Sequence, residues 1–122
     1  MIVGIGVDIA EIDRIKKAAD KAAFLTRVFT EREISLYRDR GENPSVLAGC
    51  FAGKEAVAKA LGTGFRGFWP LDIEILRDEK GGPMAVLRGK ALEIAQSMDI
   101  KRWHVSITNT ADWAAAFVVA EN

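Results

Sequence analysis

Between Asn43 and Gly62 the sequence writes both ends of one long helix, and the rest of the chain has to be arranged around it. Asn43 is an N-cap residue, whose side-chain oxygen accepts an otherwise free backbone N–H. Pro44 at the first helical position loses no hydrogen bond, and Gly62 stands where a chain leaves a helix through the left-handed region. Leu47, Phe51, Ala58 and Leu61 recur at helical spacing, which predicts one face turned into a core. The opposite face carries Glu55 and Lys59, four residues apart and therefore stacked, behind the small residues Ala48 and Ala52. A second element or a ligand can approach the helix closely there. Taken alone, this spacing describes an ordinary surface ion pair, so its weight depends on what the rest of the chain supplies.

The N-terminal run Met1 to Ile12 alternates as a strand does. Val3, Ile5, Val7 and Ile9 make an apolar face, while Gly4, Gly6, Asp8 and Ala10 make the other. Glycine weakens a strand, so two of them beside an aspartate predict that something needs close access to that face. Either Asp8 borders a cleared site, or the strand crosses a packed helix at Gly4 and Gly6. From Asp13 to Asp39 the pattern turns helical, with a basic helix beginning at Arg14 and running toward Leu25, and another beginning after Phe29. Thr30 with Glu33 three residues on is a capping box, which explains Glu33 structurally.

After the long helix, Gly62 to Gly67 is a glycine-rich loop. Its N–H groups suit phosphate, but it follows a helix instead of preceding one, and a C-cap explains Gly62 equally well. Leu71 to Arg77 and Met84 to Leu87 read as a hairpin through Asp78 to Pro83, and Lys90 to Met98 as a helix. A second hairpin joins Lys101 to Thr108 with Trp113 to Ala120. In its first strand Trp103, Val105 and Ile107 face one way, and His104, Ser106 and Thr108 the other. A polar stripe of that kind is ordinarily a solvated face.

With 122 residues and no linker or repeat, the chain is expected to form a single domain over 1–122. Lys and Arg number 17 and so do Asp and Glu, which does not support a nucleic-acid binder. Between Arg14 and Arg40, however, basic residues outnumber acidic ones eight to four, predicting an acidic partner. The single cysteine, Cys50, allows no internal disulfide and fits a cytoplasmic location. Asp8, Glu11 and Asp13 interrupt any signal-like run, no stretch approaches membrane-spanning length, and the mature chain is expected to start at Met1. Three Trp and six Phe exceed what one core of this size is expected to absorb, which points to an oligomer.

The chemistry-bearing inventory is thus a strand Asp, a helix Glu and Lys, a glycine loop and a His/Ser/Thr stripe. One histidine cannot make a multi-histidine zinc site. Two carboxylates suit a hard cation such as Mg2+, which completes its shell with water and substrate phosphate oxygens. A lysine alongside would neutralise further phosphate charge, so the set points to phosphoryl chemistry.

The runs Gly4 to Ile12, Phe29 to Glu33, Phe51 to Gly64 and His104 to Thr108 resemble, in the same order, the holo-[acyl-carrier-protein] synthase family of 4'-phosphopantetheinyl transferases. The resemblance implies an α+β fold, antiparallel strands with a long central helix, assembled as a homotrimer with sites between subunits. It implies transfer of phosphopantetheine from coenzyme A to a serine of acyl carrier protein in fatty acid biosynthesis, releasing adenosine 3',5'-bisphosphate. By position, Asp8 and Glu55 would hold Mg2+. Lys59, Gly62, Thr63 and Gly64 would meet the phosphates, and His104 and Thr108 would line the cofactor site. Catalysis would rest on Glu55, Lys59 and His104: the carrier serine attacks the β-phosphorus, the metal and Lys59 stabilise charge, and Glu55 or His104 takes the proton. Arg14, Lys17 and Lys21 would dock the acidic carrier.

Two positions depart from the family pattern. Cys50 stands where an arginine is usual, which puts coenzyme A affinity in question. Thr108-Asn109-Thr110 replaces a Ser/Thr-His-Thr sequence. Two rival functions follow from the same residues, a non-catalytic carrier-binding relative and a Mg-dependent phosphodiesterase that uses water in place of serine.

Overall fold

Local signals set the limits of the long helix. Asn43 Oδ1 accepts the Ser45 N–H at 3.0 Å, Pro44 opens the first turn, and Gly62 sits at φ +82° just past the end. The computed structural model describes residues 1–122. In order it contains β1 (Ile2–Glu11), α1 (Ile12–Ala19), α2 (Ala22–Val28), α3 (Glu31–Asp39), α4 (Pro44–Ala60) and one 3-10 turn (Pro70–Asp72). β2 (Ile73–Arg77), β3 (Pro83–Leu87), α5 (Gly89–Ser97), β4 (Arg102–Asn109) and β5 (Trp113–Glu121) follow. All strand pairing is antiparallel, in a three-stranded sheet of order β1-β5-β4 and a two-stranded sheet β2-β3. The chain is therefore α+β with α4 at its centre.

A second element does approach the face of α4 that carries the small residues, and that element is β1. From Leu47 to Ala60, every residue except Phe51, Glu55 and Lys59 is buried. Ala48, Ala52 and Ala56 are small because β1 lies against this helix. A Cβ added at Gly6 would overlap the carbonyl oxygen of Ala56 and lie 3.0 Å from Ala60 N, and one at Gly4 would overlap the carbonyl of Ala60. Of the two explanations for Gly4 and Gly6, strand-on-helix contact is the one realised.

That contact turns the apolar face of β1 outward. Ile5, Val7 and Ile9 are 61%, 56% and 61% exposed. Their register neighbours on β5 are Val119, Phe117 and Ala115, and Phe117 and Trp113 are about half exposed. The inner face, Ala114, Ala116, Val118 and Ala120, is sealed against α4.

The expected basic helix from Arg14 is two helices. α1 closes at Asp20, whose N–H donates to Lys17 O, and α2 restarts after an extended Lys21. The break lets Phe24 meet Phe29 edge to face, with centroids 5.8 Å apart, in a layer a straight helix would miss. The Thr30/Glu33 capping box forms as the spacing predicts, with Glu33 Oε1 accepting the Thr30 N–H at 2.9 Å.

Candidate active site

β1 and α4 bring Asp8, Glu55 and Lys59 together. Asp8 shares the strand face of Gly4 and Gly6, so it points at α4 one turn beyond the close contact. Lys59 Nζ lies 2.9 Å from Asp8 Oδ1 and donates to Val7 O at 3.0 Å. The Asp8 side chain is 18% exposed and that of Lys59 50%, so the pair opens to solvent at its lysine end. Glu55, one turn before Lys59, has its carboxyl pushed above the usual carboxylate value. Burial is the main cause and the charge of Asp8 the second, with Lys59 acting against both.

That upward push comes chiefly from burial, and the neighbouring Asp8 carboxylate adds to it while Lys59 opposes both. A divalent cation would relieve it. No group of three or more His, Cys, Asp or Glu side chains is assembled anywhere, so a fully protein-built cage is absent. Two hard oxygen donors at a solvent-open edge do fit Mg2+, whose remaining positions water and phosphate oxygens fill.

The glycine loop begins at this same end of α4. The Gly62 N–H donates to Lys59 O at 2.9 Å and the Gly64 N–H to Ala58 O at 3.1 Å, so both amides cap the helix. Thr63 Oγ1 donates to Gly64 O at 2.8 Å. Of the three loop residues expected at phosphate, only Thr63 keeps a backbone N–H outside these bonds.

His104 and Thr108 are not brought to this cluster. In β4 they alternate with Trp103, Val105 and Ile107, whose side chains pack toward the core. They stand on the outer sheet face with Ile5, Val119 and Phe117, on the far side from Asp8. His104 Nε2 meets Glu121 Oε1 at 2.9 Å, and this contact is the main cause holding the Glu121 carboxyl below its ordinary value. Within one chain, then, the six positions expected at the cofactor fall on two sides of a sheet.

Arg14, Lys17 and Lys21 follow β1 as expected, with Arg14 and Lys17 on α1 and Lys21 at the N-cap of α2. Lys17 is partly neutralised by Asp13 at 2.9 Å. Cys50 is buried against β2, its thiol donating to Ile75 O at 3.6 Å and pushed up to about 12 by burial and then by Glu33. It lines the core, not the Asp8 cluster.

A strand Asp is thus aimed at a Glu and a Lys on the last two turns of a central helix. The family model for the 4'-phosphopantetheinyl transferase superfamily matches residues 4–118. The chain belongs to that superfamily.

Its relatives within the superfamily are close in sequence. It is 47% identical over 122 residues to the holo-[acyl-carrier-protein] synthase of Clostridium kluyveri, covering 99% of this chain and 91% of the relative. With that of Clostridium novyi it shares 46%, covering 99% and 88%. Among solved transferase structures, the Neisseria meningitidis synthase superposes with a TM-score of 0.90 at 38% identity, over 100% of both chains. The Helicobacter pylori synthase, solved in complex with coenzyme A, gives 0.83 at 37%, over 96% of this chain and 99% of that one.

Two features escaped the sequence reading. One is a fully buried pair, Glu33 and Lys54, at 2.6 Å. The other is the outward turn of the apolar face of β1. A lysine flanked by Gly53 and Glu55 on a helix otherwise filled with small residues was the available signal for the first.

Proposed function

We propose that the protein is a holo-[acyl-carrier-protein] synthase. It transfers 4'-phosphopantetheine from coenzyme A to a serine of apo acyl carrier protein, in fatty acid biosynthesis in the cytoplasm. The carrying observation is the Asp8–Lys59–Glu55 cluster at a solvent-open edge, in a chain similar over its whole length to synthases of that name. No helix is long and apolar enough to cross a membrane.

Asp8 and Glu55 would hold Mg2+, which would supply positive charge to offset that of the pyrophosphate. Lys59, kept in place by Asp8 and the Val7 carbonyl, offers its exposed ammonium to the same phosphates. Thr63 donates its free N–H to a phosphate oxygen, while the Gly62 and Gly64 turns bring the backbone close. The serine oxygen bonds to the β-phosphorus as the bridging P–O bond breaks, and adenosine 3',5'-bisphosphate leaves. Glu55 takes the serine proton within the chain, and His104 is its competitor from another copy.

The opposite placement of His104 and Thr108 supports a homotrimer in which one copy's outer sheet face completes its neighbour's site. The exposed apolar surface of Ile5, Val7, Ile9 and Phe117 supplies the adhesion. Val7→Glu is therefore expected to release monomers and to cost most of the transfer, although it touches none of Asp8, Glu55 or Lys59. Light scattering at micromolar concentration checks it, and a monomeric wild type would defeat the shared site.

Arg14, with Lys17 and Lys21, is expected to steer the acidic carrier. Arg14→Glu should raise KM for the carrier about tenfold, equivalent to about 1.4 kcal/mol, with KM for coenzyme A nearly unchanged. Added salt should weaken wild type more than the variant, because screening removes an attraction that the variant lacks. Steady-state kinetics at two salt concentrations decide this.

The assay for the function itself is incubation with apo acyl carrier protein, coenzyme A and Mg2+, followed by mass spectrometry of the carrier. A gain of one phosphopantetheine is expected. Hydrolysis of coenzyme A without carrier would select the phosphodiesterase, and carrier binding without any mass change the non-catalytic relative.

A further inference from the structure

Lys54 precedes Glu55 in sequence but faces the other way, into the protein, where its side chain is 1% exposed. Its ammonium meets Glu33 Oε1 at 2.6 Å and donates to Pro70 O at 3.0 Å and to Ile73 O, which uses all three N–H groups. Glu33 is equally saturated: Oε1 also accepts the Thr30 N–H, and Oε2 accepts the Ile75 N–H at 2.9 Å. Beside it, buried Glu74 takes the Thr30 hydroxyl at 2.5 Å and the Arg88 guanidinium. No buried side-chain nitrogen or oxygen is left without a partner.

A buried ion pair is a poor source of stability, since desolvation offsets its attraction and an apolar replacement often does as well. What such a pair can supply is direction. The large side chains buried on either side of it along α4, Leu47 and Val57, are apolar and make no directional contact. Lys54 is the exception, and its partners come from two places. Glu33 belongs to the first turn of α3. Pro70 and Ile73 bracket the 3-10 turn at which the loop from Gly62 rejoins the sheet. Successive helix residues are rotated by about 100°, so fixing the direction of Lys54 fixes that of Glu55 toward Asp8. The same ammonium pins the far end of a loop whose near end caps α4.

We propose that Lys54, clamped by Glu33 and the carbonyls of Pro70 and Ile73, is a positioning residue. It sets the rotation of α4 that aims Glu55, and it anchors the Gly62–Trp69 loop for coenzyme A. The inference rests on the transferase reading above.

The test uses the whole protein in three forms: wild type, Lys54→Met, and Lys54→Met with Glu33→Gln. The single variant leaves a buried carboxylate without its cation, so its melting temperature should fall by on the order of 10 °C. The double variant removes both charges of the pair, leaves Glu74 with Arg32 and Arg88, and should regain most of that loss. Its kcat/KM for coenzyme A should nonetheless remain at least about tenfold down, and its metal-free affinity for coenzyme A, by calorimetry in EDTA, about tenfold weaker. KM for the carrier should not move.

A double variant with wild-type affinity and kcat/KM overturns the inference and makes the pair a matter of stability alone. A double variant that does not fold overturns it too, because a strut for the site is dispensable to the core. If wild type loads no carrier and binds no coenzyme A, it is the transferase reading that falls.

Discussion

Glu55→Gln is expected to lower turnover at least about a hundredfold, or about 2.7 kcal/mol of transition-state stabilisation, while leaving the metal-free protein as stable as wild type or more so at neutral pH. The first half follows from removing one of two carboxylates that would hold the cation. The second follows from the direction in which the folded protein pushes the Glu55 carboxyl. Folding raises it above its ordinary 4.5, chiefly through burial and then through Asp8. The folded state therefore prefers the protonated form. Below 4.5 the group is protonated in both folded and unfolded chains and costs nothing. As pH rises through that value and then through the raised folded one, the unfolded chain gains from ionising first, and stability is lost. Gln carries no charge to strain, so the two proteins should differ in melting temperature at neutral pH and converge in acid.

Mg2+ should stabilise wild type and barely affect the variant, because the cation would offset the charge that Glu55 carries and Gln lacks. Asp8→Asn should lose turnover to a similar extent without any gain in stability, since it also takes away the partner of Lys59 Nζ. Near-native kcat in both variants at saturating Mg2+ would remove Asp8 and Glu55 from the metal site.

Gly6→Ala is expected to unfold the site with a single methyl group. The added carbon would overlap the Ala56 carbonyl oxygen, and backbone cannot rotate aside as a side chain can. Either β1 lifts off α4 or the helix yields. The cost is about 3 kcal/mol or more, against a total that for ordinary domains is about 5–15 kcal/mol. Asp8 is two residues along the same face, so lifting the strand also parts it from Lys59 and Glu55. Stability and transfer should collapse together, read as a shifted denaturant midpoint and lost carrier loading. A Gly6→Ala protein with the wild-type midpoint would mean that strand and helix are not held as closely as the structure has them.

The elements that could be read from the chain are those written by neighbours in sequence. Asn43, Pro44 and Gly62 bound α4 because caps act within a turn, and Thr30 with Glu33 marks α3 for the same reason. Strand parity was readable too, and β4 divides His104, Ser106 and Thr108 from Trp103, Val105 and Ile107 as alternation requires.

What alternation cannot say is which face a partner will cover. Alternation divides β1 into an apolar side and a Gly/Asp side, and Gly4 and Gly6 decide which turns inward, because only they let α4 approach. The site was readable as residue types and as the helix spacing of Glu55 and Lys59. That Asp8 joins them while His104 stands across the sheet depends on long-range packing that no local pattern encodes. Glu33 shows the limit most plainly. Its capping box is real and complete, and it hid a second attachment to Lys54 and to Ile75, each more than twenty residues away.

The sealing of α4 also bears on how such a chain can change over generations. From Leu47 to Ala60 only Phe51, Glu55 and Lys59 are not buried; Phe51 still packs on the core, and the other two belong to the candidate site. Random substitution therefore finds almost no neutral ground on this helix. An enlarged alanine meets β1 or β5, an enlarged glycine meets Ile107 or Ile75, and a new charge meets no water. Substitutions should be tolerated instead in the Asp78–Gly82 turn and on the exposed side of α5. The helix would persist as a fossil of the ancestral sequence while its surroundings drift.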